Sequence, residues 1–128
     1  MFNYLKKIYY EKYTKKSYSI SNVDLVIERI FKNKNDGIYI DVGCNHPIKY
    51  NNTYLLYKKG WHGLNIDLDK KSIDQFNKLR KRDININSGI SKKKDKLTMY
   101  YRKEINMLNT LDKRIAKIHF RNGFKKRN

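Results

Sequence analysis

Two short apolar runs, Ile38-Tyr39-Ile40-Asp41-Val42 and Gly63-Leu64-Asn65-Ile66-Asp67, each carry a carboxylate at their carboxyl end. Runs of this length with little alternation predict strands buried on both faces, as in a parallel sheet. Ahead of the first, Val23, Val26, Ile27 and Ile30 share one helical face ending near Phe31. Ser21 and Asp24 make a capping-box-like start for that helix, which is expected to cover the sheet. Lys34-Asn35-Asp36-Gly37 then turns the chain into the first strand. Asn51 or Asn52 is placed to cap a helix running to Lys59, and Gly60 to end it. Tyr54, Tyr57 and Trp61 sit around that helix end at a spacing that suits packing better than base stacking. After the second strand, Asp69 is placed to cap a helix whose Ile73, Phe76 and Leu79 face inward. A short third strand over 84–87 and the turn Ser88-Gly89-Ile90 follow. Residues 97–101 have the composition of an extra edge strand, and Leu111, Ile115 and Ile118 suggest a last short helix. Helices alternating with strands predict an α/β fold.

Open α/β sheets collect ligands at the carboxyl ends of their strands. Asp67 follows Asp41 by about one strand-helix-strand step, so it ends the neighbouring strand, where an acid can take both ribose hydroxyls. Asp41 and Gly43 would then flank the ligand. Neither G-x-G-x-x-G nor a glycine-rich loop ending in Lys-Ser/Thr occurs, so the backbone cradles for pyrophosphate and triphosphate are missing. A single glycine beside an acid suits a nucleoside with an amino-acid tail, and S-adenosylmethionine is such a ligand.

Longer motifs point the same way. Tyr39-Ile40-Asp41-Val42-Gly43, Asn45-His46-Pro47-Ile48-Lys49-Tyr50, Asn52-Thr53-Tyr54-Leu55-Leu56-Tyr57-Lys58-Lys59-Gly60-Trp61 and Asn65-Ile66-Asp67 resemble the FkbM family of S-adenosylmethionine-dependent methyltransferases. The resemblance spans residues 37–91 and continues more loosely through 73–77, 82–85 and 108–112. It implies a Rossmann-like methyltransferase fold, with Asp41, Gly43 and Asn45 beside the methionine and ribose portions of the cofactor and Asp67 on the ribose hydroxyls. It also implies O-methylation of a sugar or other small-molecule hydroxyl. Two departures stand out. The family's Ser-Gln-x-Gly-Glu-Asp-like opening keeps only its serine and final acid in Ser19-Ile20-Ser21-Asn22-Val23-Asp24, and its Lys-Ile-Asp-Val-Glu-Gly strand has no counterpart. The expectation is therefore a basic leader over 1–18 and a partial domain over 19–128 holding the first three core strands. The alternatives are completion by a second chain and a noncatalytic remnant.

Charge adds one competing class. The 128 residues carry 30 Lys and Arg against 12 Asp and Glu, a net +18 that attracts polyanions. Of these cations 23 are Lys and 7 are Arg, and Arg is the residue suited to bidentate phosphate and base recognition. Lys, Asn, Ile and Tyr all have A/T-rich codons, so codon bias is the preferred explanation over a nucleic-acid-binding domain. The lone Cys44 precludes an intrachain disulfide and accords with a reducing, cytoplasmic setting, and no Cys/His cluster has zinc spacing. His46, in the loop facing the expected pocket, is a candidate base; His62 and His119 read as exposed side chains. Phe2, Leu5, Tyr9 and Tyr13 with interspersed lysines describe a basic amphipathic leader helix, docked on the domain in preference to an anionic membrane. No apolar run reaches the ~20 residues needed to cross a bilayer.

Overall fold

A computed structural model describes residues 3–6, 15–92 and 96–128. Residues 3–6 are helical, and the rest of the leader stripe, with Phe2, Tyr9 and Tyr13, lies outside the described residues. The main elements are α1 (Val23–Ile30), β1 (Ile38–Val42), α2 (Tyr54–Lys58), β2 (His62–Asp67), α3 (Lys70–Leu79) and β3 (Ile84–Asn87). β4 (Met99–Tyr101), α4 (Lys113–His119) and β5 (Lys125–Arg127) follow. β1, β2 and β3 form a parallel sheet in that order, with Ile40 opposite Leu64 and Leu64 opposite Ile84. Helical crossovers return the chain for each parallel pairing, so the carboxyl ends of all three strands share one margin. The architecture is α/β and compatible with part of a Rossmann-like fold.

Residues 97–101 do not extend that sheet. β4 pairs antiparallel with β5, Met99 opposite Arg127, in a separate two-stranded sheet, and Tyr100 also bridges Thr110. The Lys-Lys-Arg of β5 gave no strand pattern, but a ladder needs only backbone N–H and C=O groups.

Residues opposite one another in register share a face of the sheet. One face carries Tyr39, Asp41, Asn65 and Asn85, and α3 packs against β2 and β3. The other carries Ile38, Ile40, Val42, Leu64, Ile66, Ile84 and Ile86. Ile38, Ile40, Val42 and Ile84 are 73%, 68%, 60% and 68% exposed, so β1 is not buried on both faces as its composition predicted. α2 and α3 lie on the polar side instead, Leu56 of α2 packing on Tyr39 and α3 on β2 and β3. β1 is also an edge strand, with β2 as its only partner among the described residues.

α1 does not cover the sheet either. It packs on α2, and of its apolar stripe only Ile27 reaches the buried Tyr39, Leu56 and Trp61. Its start is not the expected Ser21 box. Asp24 is buried and accepts hydrogen bonds from Ser17 Oγ at 2.6 Å, Tyr18 N–H at 2.7 Å and Ser19 Oγ at 3.0 Å. Ser19 Oγ returns the favour by accepting from Asp24 N–H at 3.3 Å. Ser19 reaches an orphan amide of the first turn, while the N-cap position itself, Asn22, is left-handed and makes no side-chain cap.

α2 begins at Thr53 and not at either asparagine, although Asn51 Oδ1 accepts Thr53 N–H at 3.1 Å; Gly60 ends it at φ 107°. Trp61 is buried, in keeping with packing for the aromatic cluster. α3 is capped by Asp69 as expected, whose Oδ1 accepts Lys71 N–H at 3.0 Å. Ile73 and Phe76 join Cys44 in the second core cluster, but Leu79 is 52% exposed and the neighbouring Arg80 is fully buried in its stead. In α4 the buried positions are Ala116 and, just beyond it, Phe120, whereas Ile115 and Ile118 face out. Among the described residues no helix is long and apolar enough to cross a membrane.

Candidate functional site

The polar face of the sheet is organised by Arg80. Its Nε donates to Asp83 Oδ2 at 2.9 Å, Nη1 to Pro47 O at 3.0 Å, and Nη2 to Tyr39 Oη at 2.6 Å and Thr53 Oγ1 at 3.1 Å. Asp83 also accepts from Tyr39 Oη–H, Gly63 N–H and Asn65 Nδ2. Burial and the hydrogen bond to Asp83 push the Tyr39 phenol far up, so it stays protonated and donates. A buried charge is tolerable only when paired and hydrogen-bonded on every side, and this one is. Sequence reading passed over Arg80 because it sits in the basic stretch Arg80-Lys81-Arg82; the available signal was its position one helical turn after Phe76.

From this network the contacts climb to the end of β1. Thr53 Oγ1 lies 3.0 Å from Asp41 Oδ2, and Asn51 Nδ2 donates to Asp41 Oδ2 and to Cys44 O, each at 3.3 Å. Burial raises the Asp41 carboxyl above its ordinary value against the opposing Thr53 hydrogen bond and Arg80 charge. Burial likewise drives the Cys44 thiol up, with the Asp67 and Asp41 charges adding to it, so this sulfur is an inert packing group.

The chain then turns tightly around the strand ends. Gly43 adopts φ 73° and Asn45 φ 54°, a left-handed pair in which glycine carries no Cβ penalty. Gly43 N–H and Cys44 N–H donate to Ile66 O at 2.8 and 3.3 Å, lacing β1 to β2. Asn45 N–H donates to Asp67 Oδ2 at 2.7 Å, and Asp69 N–H to Asp67 Oδ1 at 2.8 Å. These bonds fix the carboxylate yet use two of its roughly four acceptor positions, which leaves room for a vicinal diol. Burial raises the Asp67 carboxyl, and the nearby Asp69 charge adds to that, against backbone hydrogen bonding from Asp69, Asn45 and Leu68.

Gly43, Asn45 and Asp67 line one cavity of about 240 Å³, closed by Val42, Ile66, Leu68, the turn Ser88-Gly89-Ile90, and Asn106, Met107, Asn109 and Leu111. An open cleft of about 650 Å³ adjoins it and shares Leu68, Ser88 and Gly89. Asp41 lies outside the cavity lining, its Oδ2 being taken up by Asn51 and Thr53. Asp69 has the structural role expected of it, since Oδ1 caps α3 and Oδ2 accepts Ile105 N–H.

His46 is not a base in this arrangement. Its Nδ1 accepts both Ile48 N–H and Lys49 N–H at 3.0 Å, so a neutral ring must carry its proton on Nε2. Burial and the Lys49 charge hold its pKa below the usual histidine value, which keeps that neutral form at pH 7. His62 and His119 are exposed, as expected. Among the described residues no group of three His, Cys, Asp or Glu side chains could hold a metal ion.

The segment after β4 is the wall that sequence reading missed. Leu111 meets the Gly89 turn so closely that a Cβ on Gly89 would lie 3.2 Å from Leu111 Cδ1 and 2.7 Å from Leu68 Cδ2. Asn109 Oδ1 and Nδ2 are both buried with no hydrogen-bond partner. No family model, curated protein or solved structure matches the chain.

Proposed function

We propose that this domain is the cofactor-binding part of an FkbM-type S-adenosylmethionine-dependent O-methyltransferase acting in the cytoplasm on a small-molecule hydroxyl, such as that of a sugar. The observation that carries the reading is Asp67: a carboxylate at the carboxyl end of the middle strand, anchored by Asn45 and Asp69 amides, bordering a cavity, and with acceptor capacity to spare. That is the placement an acid needs to accept both ribose hydroxyls of a nucleoside. The motif resemblance over residues 37–91 supports the same reading.

Asp67 would take the ribose, while the left-handed Gly43 to Asn45 turn would carry the amino-acid tail. Asp41 would act from behind, setting that turn through Asn51, which ties its carboxylate to Cys44 O. The bound cofactor supplies an electrophilic methyl on a sulfonium with a built-in leaving group. The protein's share is then alignment of an acceptor oxygen and exclusion of water. Apolar Val42, Ile66, Leu68 and Leu111 provide a dry lining. No acceptor-side base is assigned.

Completion by a second chain belongs to the same proposal. The unpaired edge of β1 and the exposed Ile38, Ile40 and Val42 beside it form the surface that an added strand and its helix would cover.

Isothermal titration with S-adenosylhomocysteine, run alongside circular dichroism, tests the reading. Saturable binding by the folded chain, abolished in Asp67→Ala, is expected. A folded wild-type chain that binds nothing, or an Asp67→Ala variant that binds as well as wild type, would sink it.

A further inference from the structure

Past the Gly43 to Asn45 turn, the same loop runs on to a second recess. Residues 16–19 and 48–50 enclose a cleft of about 440 Å³. Ile48, on its wall, is three residues from Asn45, on the wall of the cofactor cavity, so their Cα atoms are at most about 11 Å apart. The cleft therefore lies beside the turn assigned to the amino-acid tail.

Its charge is one-sided. Lys16 and Lys49 line it, and no carboxylate does. Neither lysine has a salt-bridge partner among the described residues. Lys58 adds a third cation, since its Nζ and that of Lys16 each stand 5.3 Å from the centre of the Tyr18 ring. An aromatic face attracts ammonium groups but carries no net charge to neutralise two of them. Asp24 lies behind Ser17 and Ser19, fully buried, its oxygens spent on the two serine hydroxyls and the Tyr18 and Leu25 amides. Glu28 is likewise held, by Lys15 and Lys59. Charges of one sign gathered around an open recess concentrate an anion there.

Tyr50 supplies the other half of the site. It stands at φ 54°, a conformation costly for a bulky residue, and is 61% exposed. The loop is fixed on both sides of it: His46 Nδ1 accepts the Ile48 and Lys49 amides, and Asn51 N–H donates to Tyr18 O at 3.1 Å. Backbone strain of this kind clusters at ligand clamps, and here it sets an unburied ring on the rim next to Lys49. A flat ring beside a cation suits a sugar that carries an acid. The C–H face of the sugar rests on the aromatic ring, and the carboxylate or phosphate meets the ammonium as a point charge.

We infer that this cleft is the acceptor subsite and that the acceptor is an anionic sugar, with its carboxylate or phosphate on Lys16 and Lys49 and its ring on Tyr50. The inference deepens the proposed methyl-transfer reading and rests on it for the acceptor role. A sugar held in this way presents its remaining hydroxyls across the Asn45 to Tyr50 loop, toward the methyl group.

The test titrates the full chain, saturated with S-adenosylhomocysteine, with glucuronate, glucose 6-phosphate and glucose, and follows amide NMR shifts. The two acids should move the amides of residues 16–19 and 48–50 and bind about 10- to 150-fold more tightly than glucose, the worth of one charge-assisted hydrogen bond. The tighter acid identifies the anion as carboxylate or phosphate. Lys49→Gln should bring both acids toward the affinity of glucose, whereas Lys78→Gln, which removes the same charge from an exposed position on α3, should not. Tyr50→Gly, in which the left-handed backbone is at ease, should weaken all three sugars together. Acids that shift amides over the whole surface, or that bind as well after Lys49→Gln, overturn the inference while the cofactor reading stands. Inorganic phosphate binding as tightly as glucose 6-phosphate, with no effect of Tyr50→Gly, overturns the sugar. A folded chain that binds the acids but not S-adenosylhomocysteine overturns the acceptor role together with the cofactor reading.

Discussion

Replacing Arg80 by methionine, which retains most of the side-chain length, removes the guanidinium and leaves Asp83 buried without a cation. Both partners are fully buried at the side-chain level, 2.9 Å apart, so no solvent screens the loss. Removing one member of a buried pair typically costs about 3–5 kcal/mol. Pro47 O and Thr53 Oγ1 lose a donor as well, which argues for the upper end of that range. Against a total stability of about 5–15 kcal/mol for a domain, this is a large fraction. At about 4 °C per kcal/mol for a chain of this size, the midpoint should fall by roughly 12–20 °C. Thermal unfolding is the assay, followed by far-UV dichroism and by the fluorescence of Trp61, the single tryptophan, which packs against Tyr39 in the adjoining cluster. The double variant Arg80→Met/Asp83→Asn removes the uncompensated charge while keeping an acceptor for Gly63 N–H, and should recover at least half of the loss. A single-variant cost under about 1 kcal/mol, the worth of an exposed pair, would refute the claim that this charge is buried and essential.

Two further outcomes follow from the site. A ribose hydroxyl donates best to an ionised carboxylate, and the Asp67 pKa is raised above its ordinary 3.8. Lowering the pH through that raised value protonates the acceptor, so S-adenosylhomocysteine affinity should begin to fall at a pH above 3.8; constant affinity down to 3.8 in a chain that stays folded would contradict this. For stability the sign is opposite, because the folded state then binds the Asp67 proton more tightly than the unfolded chain, a contribution present at low pH and lost as pH rises through the folded value. Gly89→Ala places a methyl 2.7 Å from Leu68 Cδ2, the movable end of a leucine side chain, so the cost should sit at the low end of the about 1–3 kcal/mol typical of overpacking; a loss above that range would show that Leu68 cannot turn away.

Much of the scaffold was legible because it depends on local signals. β1, β2 and β3, the Asp69 cap and the Gly60 stop all follow from short apolar runs, a side-chain oxygen before a helix and a position that demands positive φ. Gly43, Asn45 and Asp67 were legible as a group because parallel strands bring their carboxyl ends together. Arg80 was not. A lysine-rich chain hides one buried cation among 30. β5 was invisible for a related reason, since its charged side chains are all exposed and only its backbone is structural. The sidedness of β1 was misread because apolar composition reports what a strand would bury, whereas exposure depends on which elements arrive to cover it.

The sidedness of the sheet decides how the domain is held together. The covered face of the sheet is polar, and its central ion pair is of a kind that prevents collapse when intact but adds little net stability over an apolar replacement. The apolar face, where burial is worth about 25 cal/mol per Å², leaves Ile38, Ile40, Val42 and Ile84 largely in water. The hydrophobic term available to this sheet is therefore only partly used, and the completing chain proposed above would realise it by adding to the β1 edge. Such a partner binds the folded state alone, so it should raise the unfolding midpoint in proportion to its concentration over its dissociation constant. Ile40→Glu separates this from intrinsic stability. In isolation the substitution should shift stability by no more than about 0.5 kcal/mol, because the side chain is already in water, while lowering light scattering and dye binding. With the completing chain present, the same glutamate would be buried without a partner and should abolish the rise in midpoint. An Ile40→Glu chain that loses several kcal/mol on its own would instead mean that the face is covered within the single chain.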